Sequence, residues 1–169
     1  MLQGTPYLGP WKIGSVLKSQ KGTSVFKIRS ALGHPFVFKY ISGIQIKGNT
    51  VCPEIYYQFR AAEASVGPRI FQINEYPDGI ALIMEAYDIT LREHINKTGS
   101  ISRDDIMKPI RKLAKLGIVH NDLHQGNMMR CRSDPKRWFI IDYGRACMTA
   151  KMTEVDILRF SWQQLRLSQ

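Results

Sequence analysis

The chain has 169 residues, of which 44% are hydrophobic and 22% are charged, and its formal net charge is +10. This composition excludes global disorder. No apolar run approaches the roughly 20 residues that a membrane-spanning helix requires, so no transmembrane segment is expected. Three cysteines without metal-ligand spacing argue against a disulfide framework and a structural zinc site. The positive charge favours contact with nucleic acid, an anionic membrane or an acidic protein.

The first half of the sequence predicts a small antiparallel sheet and one helix. Turn residues separate short β-prone runs at 16–17, 24–29, 36–41, 70–73 and 80–84. The helix is predicted over 53–65, because Pro53 suits a first helical turn, apolar residues recur at helical spacing, and a Gly-Pro pair follows. The polar stretch after Met84 is the expected hinge to the second half.

The second half is predicted to be mostly helical. One helix begins after Ser102 with two acidic residues, places apolar residues on one face and basic residues on the other, and ends at Gly117. Short strands at 128–129 and 138–141 flank a polar turn, and a final helix is predicted over 154–167.

The strongest signal is a pair of motifs in this second half. Residues 120–127 read His-Asn-Asp-Leu-His-Gln-Gly-Asn, and Asp-Tyr-Gly follows at 142–144. Phosphoryl transfer needs one carboxylate that orients the attacking hydroxyl, and a separate Asp and Asn that hold magnesium on the phosphates. Asp122, Asp142 and Asn127 supply these groups. Each piece alone is a common turn, but the joint pattern indicates a phosphoryl-transfer site.

The joint pattern resembles the protein kinase superfamily, in which a His-x-Asp-x-x-x-x-Asn catalytic loop precedes a magnesium-binding Asp-Phe-Gly, here with Tyr for Phe. The resemblance implies an α+β fold of the minimal bilobal kinase type. An N-lobe over 1–84 would contain the antiparallel sheet and one helix, and a reduced, mostly helical C-lobe would occupy 85–169. It also implies Asp122 as the catalytic carboxylate, and ATP with Mg²⁺ or Mn²⁺ held by Asn127 and Asp142.

The resemblance implies further ATP-binding residues upstream. Lys39, within Val-Phe-Lys-Tyr, resembles the lysine that contacts the α- and β-phosphates, and a helix glutamate should pair with it. Glu54 stands fourteen residues before Pro68, as in the family, whereas Glu63 stands five before it, so Glu54 is chosen. The stretch after the last strand resembles the hinge that binds adenine, and its residues are Met84 as gatekeeper, Glu85 and Tyr87.

Two departures from the family pattern concern the phosphates. The glycine-rich loop keeps one glycine, so phosphate binding there is expected from the amides and hydroxyls of Gly22, Thr23 and Ser24. His124 is expected to be catalytic and stands where protein kinases have lysine, as in aminoglycoside and choline phosphotransferases. Because histidine loses its charge near neutral pH, activity should fall as the His124 ring deprotonates.

A third departure is the short passage after Gly144. Asp156 follows Asp142 after only fourteen positions, and no activation loop fits between them. The same short passage is typical of the RIO kinases and the small kinase of the KEOPS complex. The resemblance makes Asp156 the buried aspartate that braces the catalytic loop. Without an activation loop, the protein is expected to be constitutively active or switched by an activating protein partner.

The leading interpretation is an ATP- and Mg²⁺-dependent kinase that phosphorylates Ser or Thr of a protein substrate. A small-molecule phosphotransferase of the aminoglycoside or choline type is the first alternative, kept open by Asp-Leu-His at 122–124. The second is a kinase-like module that binds RNA or protein in a KEOPS-type assembly through basic residues at 130–137 and on the 106–116 helix. The absence of a secretory signal predicts the cytoplasm, which would be the host cytoplasm for a viral or bacterial effector protein.

Overall fold

The described residues divide into two compact units. The computed structural model describes residues 11–20, 22–43 and 52–165. The first unit consists of the described residues up to 43 together with 69–86, and the second consists of 52–68 together with 87–165. The predicted lobe boundary after Met84 lies close to the division after Ala86, but the residues of the first predicted helix group with the second unit.

The first unit is a five-stranded antiparallel sheet. Its strands are β1 (Lys12–Gln20), β2 (Thr23–Arg29), β3 (Pro35–Ser42), β4 (Ile70–Tyr76) and β5 (Gly79–Glu85). They lie side by side in the order β1-β2-β3-β5-β4, so β3 is the central strand. Each of the five predicted strands is confirmed, and each extends beyond its β-prone run.

Burial in this sheet follows the position of each strand. β5 lies between β3 and β4 and is buried from Gly79 to Met84, as expected for a continuous apolar run. A Cβ on Gly79 would lie 2.4 Å from the carbonyl oxygen of Ile41, so this position has no room for a side chain. On β3 the buried residues alternate, and Lys39 is among them. The hydrogen bonds to both neighbouring strands therefore fix Lys39 at the centre of the sheet.

The second unit combines helices with short strands. The helices are α1 (Pro53–Glu63), α2 (Leu91–Thr98), α3 (Arg103–Lys115) and α4 (Glu154–Leu165). The strands are β6 (Tyr87–Thr90), β7 (Ile118–Val119), β8 (Met128–Cys131), β9 (Trp138–Ile140) and β10 (Cys147–Met148). Strands β6, β8 and β9 form one antiparallel sheet, and β7 pairs with β10. The core contains fully buried side chains that include Leu91, Ile106, Ile110, Leu113 and Ile140.

The expected α+β class is confirmed for the described residues, which form a five-stranded antiparallel sheet and four α-helices. The predicted end of α3 is also confirmed, because Gly117 has a φ of +69° and its N–H donates to the carbonyl of Ala114 at 2.9 Å. Among the described helices, none is both long enough and apolar enough to cross a membrane.

The sequence predicted a polar hinge where the structure has β6 and α2. Helix α2 has few apolar residues, of which Leu91 is fully buried. A capping box defines its start: the N–H of Glu93 donates to Thr90 Oγ1 at 3.1 Å, and the N–H of Thr90 donates to Glu93 Oε2 at 2.7 Å. The capping box, rather than apolar periodicity, is the sequence signal for this helix.

Helix α1, which the sequence assigns to the N-lobe, is held within the second unit. After the helix, the carbonyl of Val66 accepts a hydrogen bond from the N–H of Ile140 in β9 at 2.8 Å. On the helix itself, the hydroxyl of Tyr57 accepts one from the N–H of Met148 in β10 at 3.0 Å. The helix therefore has a fixed position relative to the segment that joins β9 to β10.

Candidate active site

Residues 120–127 form a loop that is joined to the Asp-Tyr-Gly segment by a buried histidine. The His120 side chain is fully buried, and its Nε2 lies 3.0 Å from the carbonyl oxygen of Ile141. Because a carbonyl only accepts, Nε2 carries the proton. Burial lowers the pKa of His120, and the hydrogen bond to Ile141 opposes this effect. His120 is therefore a neutral, structural side chain that also packs edge-on against the Tyr143 ring, with the centroids 5.1 Å apart.

Asn127 connects both ends of the loop to each other and to the residue before Asp142. Its Nδ2 donates to the backbone carbonyl of Asp122 at 2.9 Å, and its own carbonyl accepts from the N–H of Ile141 at 3.0 Å. The Oδ1 atom of Asn127 accepts no hydrogen bond from the described residues. The structure thus places Asp122 and Asn127 on one loop, with an amide oxygen left for a ligand.

Two residues at the site have left-handed backbone conformations. Asp142 has a φ of +67° and Asn121 a φ of +61°, and among the described residues only Ser65 is a further non-glycine residue of this kind. Asn121 Nδ2 donates to the carbonyl of Arg145 at 3.1 Å and lies 3.2 Å from Cys147 Sγ. Such conformations persist where surrounding contacts hold them, and they concentrate at functional sites. The sequence motif gave Asn121 no role, although Asn tolerates a positive φ better than most residues.

Glu54 of α1 lies beside the Asp-Tyr-Gly segment. A Cβ placed on Gly144 would lie 3.3 Å from Glu54 Oε2 and 3.9 Å from Asp142 Oδ1, so both carboxylates lie close to this glycine. Glu63, in contrast, is exposed at the other end of the helix. Of the two glutamates of α1, Glu54 is therefore the one beside the Asp-Tyr-Gly segment.

The partly exposed carboxylate of Asp122 lies near a cation that sequence reasoning missed. Nη1 of Arg145 is 3.6 Å from Asp122 Oδ1. His124 was expected to supply positive charge, but its Nδ1 accepts a hydrogen bond from the N–H of Gly126 at 3.0 Å. A nitrogen that accepts donates no hydrogen bond, so Nδ1 of His124 is not available as a donor to phosphate in this arrangement. Arg145 immediately follows the Asp-Tyr-Gly motif. It belongs to no motif and to no predicted helix or strand, so the sequence did not point to it.

Asp156 does not brace the loop, so that prediction is wrong. Its carboxylate accepts hydrogen bonds from the N–H and the hydroxyl of Thr153, at 3.0 and 2.6 Å, and these bonds lower its pKa. Thr153 and Asp156 form the start of α4, where the spacing is that of a capping box. The contact from α4 to the loop comes instead from Gln164, whose Oε1 accepts from the N–H of Leu123 at 3.3 Å.

The remaining predicted nucleotide residues, apart from Tyr87, lie in the first unit. Gly22, Thr23 and Ser24 lie where β2 begins, and Gly22 has a φ of +85°. Lys39 is 8% exposed on β3, and Met84 is 5% exposed on β5. The N–H of Glu85 donates a hydrogen bond to the carbonyl of Arg69, the residue before β4, at 2.8 Å.

Tyr87 starts β6 in the second unit, near the Asp-Tyr-Gly segment. Burial raises the pKa of Tyr87 well above its ordinary range, and the negative charge of Asp142 adds to this effect. The second unit thus contains six of the predicted site residues, which are Glu54, Tyr87, Asp122, His124, Asn127 and Asp142. The first unit contains the other six, which are Gly22, Thr23, Ser24, Lys39, Met84 and Glu85.

The oxygen atoms at this site suit magnesium. Asp142 offers a carboxylate and Asn127 an amide oxygen, and Mg²⁺ takes such ligands together with phosphate oxygens and water. The described residues contain no cluster of three or more His, Cys, Asp or Glu side chains that could hold a metal without such additional ligands. No protein-family model and no curated protein sequence matches this chain. The functional assignment therefore depends on the geometry.

Proposed function

We propose that this protein is an ATP- and Mg²⁺-dependent phosphotransferase with a minimal bilobal kinase-like fold, which phosphorylates Ser or Thr of a protein substrate. One observation carries the proposal. Asp122 and Asn127 share a loop that is hydrogen-bonded to the segment bearing Asp142, and the Glu54 carboxylate lies beside that segment. Three structural devices hold this arrangement: the buried His120, the side chain of Asn127 and the left-handed turn at Asp142.

Asp122 has the properties of the residue that orients the acceptor hydroxyl. Its carboxylate is partly exposed, while its backbone carbonyl is held by Asn127. A positioned carboxylate accepts the hydrogen bond, and finally the proton, of the attacking hydroxyl. Arg145, at 3.6 Å from that carboxylate, provides positive charge where negative charge develops on the transferred phosphoryl group.

The ATP-binding roles are those that the resemblance to kinases implies. Asn127 and Asp142 would hold the magnesium ion, which neutralises phosphate charge during transfer. Lys39 would contact the phosphates, together with Gly22, Thr23 and Ser24. Met84, Glu85 and Tyr87 would contact adenine.

The alternative of an RNA-binding module has weaker support, because many of its basic residues have partners. On α3, Lys108 pairs with Asp105 at 2.9 Å and Arg111 with Asp104 at 3.5 Å. In the 130–137 turn, Arg130 pairs with Asp88, and the guanidinium of Arg137 lies over the Phe139 ring. The three ion pairs offset part of the positive charge that would neutralise RNA phosphates and release their counterions.

Nucleotide binding tests the proposal without knowledge of the substrate. ATP with Mg²⁺ is expected to raise the melting temperature of the wild type, and ATP with EDTA should raise it less. Asp142→Ala should remove the Mg²⁺-dependent part of the shift, whereas Asp122→Ala should keep it. The exposed residue Asp134 provides the control, because Asp134→Asn removes a carboxylate from the turn between β8 and β9, which belongs to neither motif. A wild type that ATP and Mg²⁺ do not stabilise would contradict the proposal.

A further inference from the structure

A cavity opens beside Asp122. Its volume is about 410 Å³, which falls within the roughly 300–1,000 Å³ of small-molecule and cofactor sites. The catalytic carboxylate lines it, together with neighbouring residues of the loop and residues of two helices. These residues are Arg92, Asp122, Leu123, His124, Gln125, Gln164 and Leu165.

Hydrogen bonds hold both helical walls of the cavity against the loop. The N–H of Arg92, near the start of α2, donates to the carbonyl of Gln125 at 3.3 Å. At the other wall, Gln164 of α4 accepts from the N–H of Leu123 at 3.3 Å. The walls of the cavity are therefore held in place by hydrogen bonds to the loop. Its position next to Asp122 is where the hydroxyl of an acceptor has to lie.

The charges around the cavity indicate which acceptors it suits. Among the described residues that line the cavity, Asp122 is the one acidic residue, and the others are neutral or basic. Arg92 is exposed, and its guanidinium forms no ion pair within the described part of the chain. Leu123 and Leu165 add two buried apolar side chains to the lining. An acceptor with a carboxylate near its hydroxyl would find a partner in Arg92.

We propose that this cavity receives the Ser or Thr of an acidic peptide segment, and that Arg92 selects for Asp or Glu beside the phosphorylated residue. The inference rests on the proposed phosphotransferase function. It argues against cationic acceptors of the aminoglycoside or choline type, because their ammonium groups would face Arg92 in a protein whose net charge is already +10.

Peptide binding tests this inference separately from catalysis. Two fluorescent peptides of equal length carry one central Ser, flanked by Asp and Glu in one and by Lys and Arg in the other. Fluorescence anisotropy at fixed salt gives their affinities for the full chain. The acidic peptide should bind more tightly, and Arg92→Glu should weaken it by about tenfold. Arg132→Glu, which makes the same charge change at an exposed residue outside the cavity lining, should have much less effect.

Each outcome supports or contradicts the inference. Equal affinity for the two peptides, or equal losses in Arg92→Glu and Arg132→Glu, would overturn it, since only the net charge would then matter. A second arm offers γ-labelled ATP with each peptide and with malate, a small hydroxy acid. Label on malate but on neither peptide would overturn the peptide assignment and favour a small acidic acceptor. Stabilisation by ATP with Mg²⁺ is measured on its own, so a failure of the phosphotransferase proposal is distinguishable.

Discussion

The two units position their candidate site residues by different means. In the first unit, Lys39 and Met84 lie on strands β3 and β5, and the hydrogen bonds between these strands set where each residue lies. In the second unit, Asp122, Asn127 and Asp142 lie outside the regular elements or at their edges. There, hydrogen bonds from side chains to the backbone hold the arrangement, and Asn127 supplies the central one.

This difference predicts where substitutions will be tolerated. A strand tolerates the loss of one polar side chain, because its backbone bonds remain. A loop held by side chains loses its geometry when one of them is removed. We therefore expect the second unit to be the sensitive one, for activity and for stability.

Apart from Asp122, the largest effect is expected at Glu54. Glu54→Gln removes the charge beside Gly144 and should lower kcat/KM for phosphoryl transfer by about 100-fold, the usual cost of a misplaced catalytic geometry. Glu63→Gln makes the same change at the exposed end of α1 and should leave kcat/KM nearly unchanged. Steady-state kinetics on the two variants measures this, and similar losses in both would show that Glu54 has no special role.

A smaller effect, on stability, is expected at Asn121. Asn121→Ala loses the hydrogen bond to Arg145 and places alanine, which tolerates a positive φ less well, at a φ of +61°. The free energy of unfolding measured in urea should therefore fall by about 1–3 kcal/mol. Asn121→Gly keeps the backbone conformation and should lose less. Ser24→Ala in strand β2 should change stability by under about 0.5 kcal/mol. If Ser24→Ala lost as much stability as Asn121→Ala, the second unit would not be more sensitive to substitution than the first.

Acidification should weaken the second unit through His120. Burial lowers the pKa of His120, so between that value and the ordinary one near 6.5 the unfolded chain binds more protons than the folded one. Stability contributed by the neutral ring should thus decrease as the pH falls below about 6.5, by at most about 1.4 kcal/mol per pH unit. Melting temperatures from pH 8 to 5 measure this slope. His120→Gln should flatten it, whereas His34→Gln, at an exposed residue of the first unit, should not.

The smallest expected effect is a gain in stability at Tyr143. Its side chain is 1% exposed, and its hydroxyl has no hydrogen-bond partner within the described residues. Tyr143→Phe should therefore raise the free energy of unfolding by about 1 kcal/mol. Tyr56→Phe, which removes an exposed hydroxyl bonded to Arg60, serves as the control and should change it little. A loss of stability in Tyr143→Phe would reveal a partner for the buried hydroxyl.

The sequence predicted the regular elements better than the contacts of the loops. The continuous apolar run of β5 and the amphipathic pattern of α3 identified both elements, because burial on a strand or helix leaves a period in the sequence. Helix α2 was missed because its capping box, not a period, marks its start.

Within the site, a spaced motif identified Asp122, Asn127 and Asp142, since their order along the chain is characteristic. Arg145, Arg92 and Gln164 could not be found in this way, because their contacts join segments that are distant or aperiodic in sequence. Asp156 was misassigned because its local hydrogen bonds with Thr153 take precedence over a more distant role.

The central claim is that Asp122 takes part in the transfer of a phosphoryl group from ATP. The most direct test is the transfer of label from γ-labelled ATP with Mg²⁺ to the acidic serine peptide or to the protein itself, in wild type and in Asp122→Asn. The wild type should transfer label, and Asp122→Asn should reduce the rate by about 10²–10⁴-fold while still binding ATP. No transfer by the wild type, or equal rates in the two proteins, would contradict the account.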